Sequence, residues 1–297
     1  MTLPVAIIGA GPAGIEAAVQ LRRSGIEFLL FEKGRIGGLL NEANRVENFP
    51  GVPGGLPGRI LADRLKRQLT AAAIHCQPAR VGQLAFHGEN FELHTERKAF
   101  TAVKVILACG TAPLPVPAPL DREDVRGRVV TSVLPLLGKR GRKIAVIGGG
   151  DAALDYALSL AAGNEVHILV RAATPRALPL LVERCRRHPA IRIHENCRLA
   201  GAEFRSKAAG LVLRTDDGRG GKRHEIACHW ALVAIGREPA LAFLAPGLQA
   251  ALPVLAARKR LFLVGDAANG RCRQAAIAAA DGLRAAMEIH AEVSPCR

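Results

Sequence analysis

Two stretches of the chain carry the same pattern of apolar and polar positions. In the first, a short β-branched run, Val5–Ile8, leads into Gly9-Ala10-Gly11-Pro12-Ala13-Gly14. Apolar positions then recur at 15, 18, 19 and 21, the spacing of one helix face, and Gly25 closes the expected helix. A second apolar run, Ile26–Phe31, ends in Glu32-Lys33. The plan returns in mid-chain: a strand at Ile144–Ile147, the turn Gly148–Ala153, a helix over Leu154–Ala162, a stop at Gly163, and a strand Val166–Val170 ended by Arg171. Each stretch reads as a β-α-β unit of about 30 residues.

Alternating patterns follow each unit. Gln83–Phe86 and Phe91–His94, joined through Gly88-Glu89-Asn90, predict an antiparallel meander. The buried run Val103–Leu107 comes next and ends in Ala108-Cys109-Gly110. After the second unit, Ala202–Phe204 and Leu211–Arg214, with turns at Gly210 and Asp216-Asp217-Gly218, repeat the meander. Ala231–Ile235, closed by Gly236, repeats the strand. Pro113, Pro115, Pro117 and Pro119 exclude helix and central strand, so that stretch reads as a linker. Leu261–Val264 precedes Gly265-Asp266, and a last helix runs from about Arg273 to Ala291.

The glycine turns have a specific use. Gly9 permits the tight turn, Gly11 lets backbone N–H groups approach a pyrophosphate, and Gly14 lets helix and strand pack closely. The helix N-terminus adds partial positive charge for the phosphates. Glu32 is placed to accept hydrogen bonds from an adenosine ribose. Gly9 to Glu32 spans 23 positions, and so does Gly148 to Arg171. The matched strand end therefore carries a carboxylate in one unit and a guanidinium in the other. A carboxylate repels a 2′-phosphate and an arginine attracts one, with Arg176 close enough in sequence to assist. Ala153 stands at the third glycine position, an allowed variant. The first site is expected to take a dinucleotide with a free 2′-OH, and the second a phosphorylated one. FAD with NADPH is the economical pair, hydride passing from nicotinamide to flavin.

Composition narrows the classes. Of 297 residues, 49% are hydrophobic and 23% charged, which excludes a disordered or disulfide-scaffold protein. The net charge of +15 is spread evenly: residues 114–235 carry 20 basic and 12 acidic side chains, the remainder 21 and 14. Only one Trp, one Tyr and nine Phe are present, too few to suggest base stacking, so no nucleic-acid partner is expected. The seven cysteines form no C-x-x-C, and neither a signal peptide nor an apolar span is visible. A cytoplasmic protein without metal or membrane contact is the expectation.

Several motifs carry a family resemblance: Gly9–Gly14, Glu32-Lys33, Gly37-Gly38-Leu39-Leu40, Val46-Glu47-Asn48-Phe49-Pro50-Gly51, Gly148–Ala153, Gly265-Asp266 with Arg273-Gln274-Ala275, and Ala280-Asp281-Gly282. In that order they resemble the low-molecular-weight thioredoxin reductases. The resemblance implies an α/β protein of two Rossmann-like three-layer ββα dinucleotide-binding domains, the second inserted into the first. An FAD domain would span 1–113 and 236–297, and an NAD(P) domain 114–235, in a homodimer. It implies FAD at Gly9, Gly11, Pro12, Ala13, Gly14, Glu32, Lys33, Gly38, Leu39, Asn48, Ala79, Gly110, Gly265, Asp266, Arg273, Gln274 and Ala275. Asp266 would meet the ribityl chain, and the N–H groups of 273–275 the N1/O2 edge of the flavin. The second dinucleotide would lie on Gly148, Gly150, Asp151, Ala152, Ala153, Arg171, Arg176, Gly236 and Arg237.

Two departures matter. The family's Cys-x-x-Cys precedes the second glycine loop, where this chain reads Thr131-Ser132-Val133-Leu134-Pro135-Leu136-Leu137. The family's His-Arg-Arg-x-x-x-Arg is reduced to Arg171 and Arg176, which leaves NADH or a second FAD open for that site. Gly150-Asp151-Ala152-Ala153-Leu154-Asp155-Tyr156-Ala157 is similar to a loop of the thioredoxin-reductase-like ferredoxin–NADP reductases, which lack the dithiol. An acidic ferredoxin is therefore the favoured acceptor. The alternatives are a disulfide oxidoreductase independent of pyridine nucleotide, with unconventional cysteines, and a redox-sensing flavoprotein. Cys272, beside Arg273-Gln274, is a candidate redox thiol, and Cys109 a weaker one. Arg184-Cys185-Arg186-Arg187 reads as a solvated helix face.

Overall fold

A computed structural model describes residues 2–206, 210–217 and 224–293. Gly218 of the expected turn and Cys296 fall outside those residues. The chain divides into two compact units. Unit 1 comprises Met1–Asn41, Val46–Ala112 and Glu238–Arg297; unit 2 comprises Pro113–Arg237 together with Glu42–Arg45.

Unit 1 is built on β1 (Thr2–Ile8), α1 (Pro12–Arg23) and β2 (Phe28–Glu32), followed by α2 (Gly58–Ala71) and β3 (Cys76–Pro78). The meander is β4 (Val81–His87), β5 (Asn90–Thr95) and β6 (Ala99–Leu107). Its sheet runs β3-β2-β1-β6-β5-β4, with β17 (Leu261–Leu263) also on β6. β6 is four residues longer than the apolar run suggests because its two halves have different partners. Residues 99–102 pair antiparallel with β5, while Val105–Leu107 pair parallel with β17. α7 (Ala275–Val293) lies against α1 at very short range: a Cβ on Gly282 would stand 1.9 Å from the Ala13 carbonyl oxygen.

The chain crosses between the units through β7 (Thr111–Pro113), which pairs with β16 (Arg237–Pro239). Hydrogen bonds from Ala240 N to Gly110 O (3.0 Å) and from Leu114 N to Gly236 O (3.1 Å) flank the ribbon. Pro113 ends the short strand, where its missing N–H costs no ladder bond.

Unit 2 begins with the short α3 (Glu123–Arg126) and β8 (Val129–Val130). β9 (Lys143–Ile147), α4 (Asp151–Ala161), β10 (Glu165–Leu169), α5 (Pro179–Arg187) and β11 (Ile191–His194) follow. β12 (Arg198–Ser206), β13 (Gly210–Asp216) and β14 (His224–Cys228) form the second meander, before β15 (Trp230–Val233). The parallel sheet runs β11-β10-β9-β15-β8, with the meander as a separate three-stranded sheet. The alternation on β9 shows why three layers form. Ile144 and Val146 join a core with Leu154, Ala157 and Leu160 of α4. Ala145 and Ile147 join another with Leu211, Leu213 and Ile226 of the meander. Successive side chains of a strand face opposite sides, so each face buries a different layer.

The assignment of Glu42–Arg45 to unit 2 differs from the sequence expectation, which left them in the first domain. Hydrogen bonding accounts for it. Glu42 accepts from Ser132 Oγ (3.0 Å) and Tyr156 OH (2.8 Å), and Asn44 N donates to Asp155 Oδ2 (2.7 Å). These partners lie 90, 114 and 111 positions away, and no local pattern announces them. The Arg184–Arg187 run also differs from expectation. Cys185 is fully buried and donates its thiol to Leu154 O (3.5 Å), so this face of α5 is partly core. Helices α2 and α6 (Pro246–Ala257) are both outside the pattern reading. α2 shows only Leu61, Leu65 and Leu69 as a thin apolar row among charges, and α6 carries Pro253 in its interior.

Candidate functional site

The first glycine loop sits where β1 and β6 end side by side. Gly9 has φ +106°, and a Cβ there would stand 2.3 Å from Ala108 O of the neighbouring crossing. A Cβ on Gly14 would fall 1.8 Å from Gly9 O. Gly11 differs: it caps α1 in extended backbone, and a Cβ there would meet nothing within 4 Å. The two outer glycines are thus required by packing, and the middle one leaves open space at a helix N-terminus. Pro12 occupies the first turn, no side chain caps the helix, and no acidic residue stands there, so its first N–H groups remain available to an anion.

Glu32, at the end of β2, is held from two sides. Its Oε2 accepts from Ala10 N (2.8 Å) and its Oε1 from Gly34 N (2.7 Å). Each oxygen keeps a lone pair for a further donor such as a ribose hydroxyl. Lys33, the next residue, is exposed. The segment after it folds back over the loop. Gly37 N donates to Ala10 O (2.7 Å), and a Cβ on Gly38 would stand 3.3 Å from Gly11 Cα. Leu39, half-buried, continues the 3-10 turn Gly38–Asn41.

The remaining positions of unit 1 occupy neighbouring strand ends. Gly110 (φ +65°) follows β6, Gly265 (φ +67°) follows β17, and Asp266 lies in the turn Gly265–Ala267. Ala79 follows β3. Asn48 Nδ2 donates to Gln274 Oε1 (3.0 Å), tying the loop that carries Val46–Gly51 to the residues before α7. Gln274 O accepts from Ala278 N, so α7 opens at Gln274-Ala275 with Arg273 just before it. Asp281 was not among the expected site residues, yet it organises this corner. Buried on α7, its carboxylate accepts from Gly265 N (3.2 Å), Asn269 Nδ2 (2.5 Å) and Arg284 (2.6 Å). Gly37 was likewise missed: a Cβ would lie 2.5 Å from Ala62 Cβ on α2. A glycine inside the helical pattern at 282 and the glycine pair at 37–38 are the local signals.

The second loop repeats the geometry. Gly148 has φ +144°, and a Cβ would stand 2.2 Å from Ala234 O. Ala153, buried, fills the third position, and Gly150 caps α4 with open space before it. The correspondence extends past Arg171. Arg176 N donates to Gly149 O (2.7 Å), as Gly37 N does to Ala10 O. Asp151 and Ala152 open α4. The Asp151 carboxylate is held by Leu178 N (2.8 Å). Arg171 and Arg176 are exposed and make no ion pair among the described residues. Gly236 (φ +132°) and Arg237 lie at the ribbon strand that ends the unit.

The thiols are spread out. Burial pushes Cys76, Cys109 and Cys185 up to about 11 and Cys228 up to about 12. Cys272 is the exposed one among the described cysteines, all of which are free. Among the described residues, no group of His, Cys, Asp and Glu could hold a metal ion, and no helix is long and apolar enough to cross a membrane.

The family model for pyridine nucleotide-disulphide oxidoreductases matches residues 3–282. The chain belongs to that family. A thioredoxin reductase of Eremothecium gossypii is 31% identical over 96% of each chain, and one of Treponema pallidum 29% identical over 98% of this chain and 96% of its own. The crystal structure of Lactococcus lactis thioredoxin reductase superposes with a TM-score of 0.85 at 25% identity, covering 99% of this chain and all of that one. This protein is thus a flavin-dependent oxidoreductase of the thioredoxin reductase-like group, whose cofactors are FAD and NADPH. The residues present fit both groups. Each glycine loop leaves an uncapped helix N-terminus with room before its middle glycine, and the donor set at the matched strand end differs as the two adenosines require.

Proposed function

We propose that the chain exchanges electrons between NADPH and a small acidic iron–sulfur protein of the ferredoxin type, in the cytoplasm, through a bound FAD and without a dithiol relay. The observation that carries this reading is the pair of matched glycine loops with a carboxylate at one strand end and a guanidinium at the other. The missing dithiol supports the second half. Where relatives would carry it, Ser132 donates instead to Glu42 and accepts from Leu134 N (3.2 Å).

In this reading unit 1 holds FAD. The N-terminus of α1 binds the pyrophosphate between Gly11 and Gly14, with Gly38-Leu39 over the loop. Glu32 takes the ribose hydroxyls, beside Lys33. Asp266 and Gly265 meet the ribityl chain, with Ala79 and Gly110 at adjoining strand ends. The N–H groups opening α7, at Arg273, Gln274 and Ala275, face the flavin's N1/O2 edge, where a helix N-terminus favours negative charge. Asn48, fixed through Gln274, stands near the ring. In unit 2, Gly148–Ala153 and α4 hold the pyrophosphate of NADPH, Arg171 and Arg176 its 2′-phosphate, and Gly236 and Arg237 border it. FAD held there would supply the step between two-electron hydride chemistry with NADPH and one-electron transfer to the acceptor protein, while the residues of the two units bind and orient the two nucleotides.

A second copy of the chain is the expected partner of α7. Its outer side carries Ala280, Leu283, Met287 and Ala291 along a shallow groove, with Met287 54% exposed. A disulfide reductase reading would rest on Cys272, the exposed thiol. Turnover unchanged in Cys272→Ser eliminates it.

The charge argument is tested by Arg171→Glu. Reduction rates with NADPH and NADH are compared in the FAD-loaded chain. The variant should lose its NADPH preference, by tenfold or more for a charge-assisted phosphate contact of about 1.5–3 kcal/mol. An unchanged preference contradicts the assignment of the second site.

A further inference from the structure

α2 is the element on which both covering loops of the proposed FAD site rest. Gly37, bonded to the first glycine loop through Ala10 O, backs directly onto Ala62 of α2. The second loop, which carries Asn48, is closed by paired bonds between Val46 and Leu56 (2.8 and 3.0 Å) and runs straight into α2 at Gly58. Leu61, Ala62, Leu65 and Leu69 bury the inner side of that helix. Its outer side presents Arg59, Arg64, Lys66 and Arg67, all exposed, against the single carboxylate Asp63.

Many of the arginines on other elements are tied to carboxylates. Arg186 pairs with Glu195 (2.7 Å), Arg187 with Glu183 (2.9 Å), Arg198 with Asp216 (3.1 Å) and Arg205 with Glu203 (2.7 Å). Arg214 also pairs with Glu203. On α2 none of the four cations makes a side-chain hydrogen bond or ion pair among the described residues. Arg59 and Arg67 flank Asp63 at helical spacing and still do not pair with it. Four neighbouring like charges with a single, unpaired carboxylate among them repel one another, a cost that a complementary surface removes.

We infer that the outer face of α2, through Arg59, Arg64, Lys66 and Arg67, is the docking surface for the acidic electron-carrier protein. This rests on the proposed acceptor. Charge complementarity selects the occupant: carboxylates on the partner would meet exposed cations that no internal carboxylate engages, and steer the encounter toward the unit that holds the FAD. Exposed charges of this kind act on association rate and salt dependence more than on chemistry.

The test uses the full FAD-loaded chain, an acidic [2Fe–2S] ferredoxin as probe, and two variants: R59E/R64E/K66E/R67E and the milder R59Q/R64Q/K66Q/R67Q. Binding of oxidised ferredoxin is measured at low and high ionic strength, and NADPH-driven reduction of ferredoxin and of ferricyanide is followed separately. The expected result is binding by the parent chain and at least tenfold weaker binding by either variant at low salt. That gap should narrow as salt rises, and ferricyanide reduction should be unchanged. Ferredoxin bound and reduced equally by parent and variants overturns the docking face while leaving the acceptor standing. Ferredoxin bound through these residues but never reduced overturns the acceptor and leaves the face. No binding to the parent overturns both. A short DNA duplex serves as control: binding that depends on the four residues for the duplex and not for ferredoxin also overturns the proposal.

Discussion

At the scale of single residues, the three glycines of the first loop do different work, and the difference can be measured. Gly9 cannot accept a side chain: its φ is +106° and the Ala108 carbonyl stands where a Cβ would go. Gly9→Ala should destabilise the cofactor-free chain by roughly 1–3 kcal/mol, the range for forced backbone conformations. Gly11 has free space and ordinary dihedrals. Gly11→Ala should leave cofactor-free stability within about 0.5 kcal/mol, as substitutions away from packed features do, while weakening FAD binding because the methyl group occupies the approach to the helix N-terminus. Urea unfolding of the stripped chains, alongside flavin titration, separates the two. Equal loss of stability in both would contradict the division of roles. Much of this was legible in the sequence, because spacing alone matches Gly9 to Gly148 and Glu32 to Arg171. The backbone bond from Arg176 to Gly149 was not, since it answers that of Gly37 to Ala10 through main-chain atoms that no side-chain pattern reports.

At the scale of elements, the parallel strands of unit 2 carry a polar cluster on the meander side. His167, buried, lies between Glu165 (Nε2 to Oε1, 3.0 Å) and His194 (Nδ1 to Nε2, 2.9 Å). Burial first, then the neighbouring His167, Arg192 and His224, lower the pKa of His194. A histidine whose folded pKa is depressed favours the folded state when neutral. Its contribution is present above the unfolded value of about 6.5 and is lost as pH falls through that value and below. The stability of unit 2 should therefore decline from pH 7 to 5, and His194→Gln should flatten that decline. Thermal unfolding across the range, with the histidine resonances followed by NMR, checks it; an unchanged slope in the variant would assign the pH dependence elsewhere. The strand that holds His167 was readable as the second apolar run of the repeated unit; β11, which holds His194, was not. The pairing of His167 with His194 was not, because they meet across β10 and β11, 27 positions apart. For the same reason Asp281, quoted only as part of the Ala280-Asp281-Gly282 motif, gains its role when α7 places its carboxylate against Gly265 N.

At the scale of the whole molecule, the repeated β-α-β plan pointed to two nucleotide-binding units, and the family resemblance implied that one is inserted into the other. Composition could not foretell Glu42–Arg45, which join the second unit through bonds to Ser132, Asp155 and Tyr156. The exposed apolar row on α7 should close against a second copy. Met287→Glu, placed at its centre, should shift the chain to monomer in sedimentation, with its folded state retained because Met287 packs little within the chain. A dimer unaffected by that change would move the interface away from α7.

The central claim is that electrons pass between NADPH and the acceptor protein through the flavin alone, with no dithiol relay. An anaerobic titration of the FAD-loaded Cys272→Ser chain with NADPH, followed by flavin absorbance, tests it most directly. The account predicts complete bleaching by one equivalent of NADPH per flavin, with one flavin per chain. Absorbance unchanged by NADPH, or bleaching that requires Cys272, would contradict it.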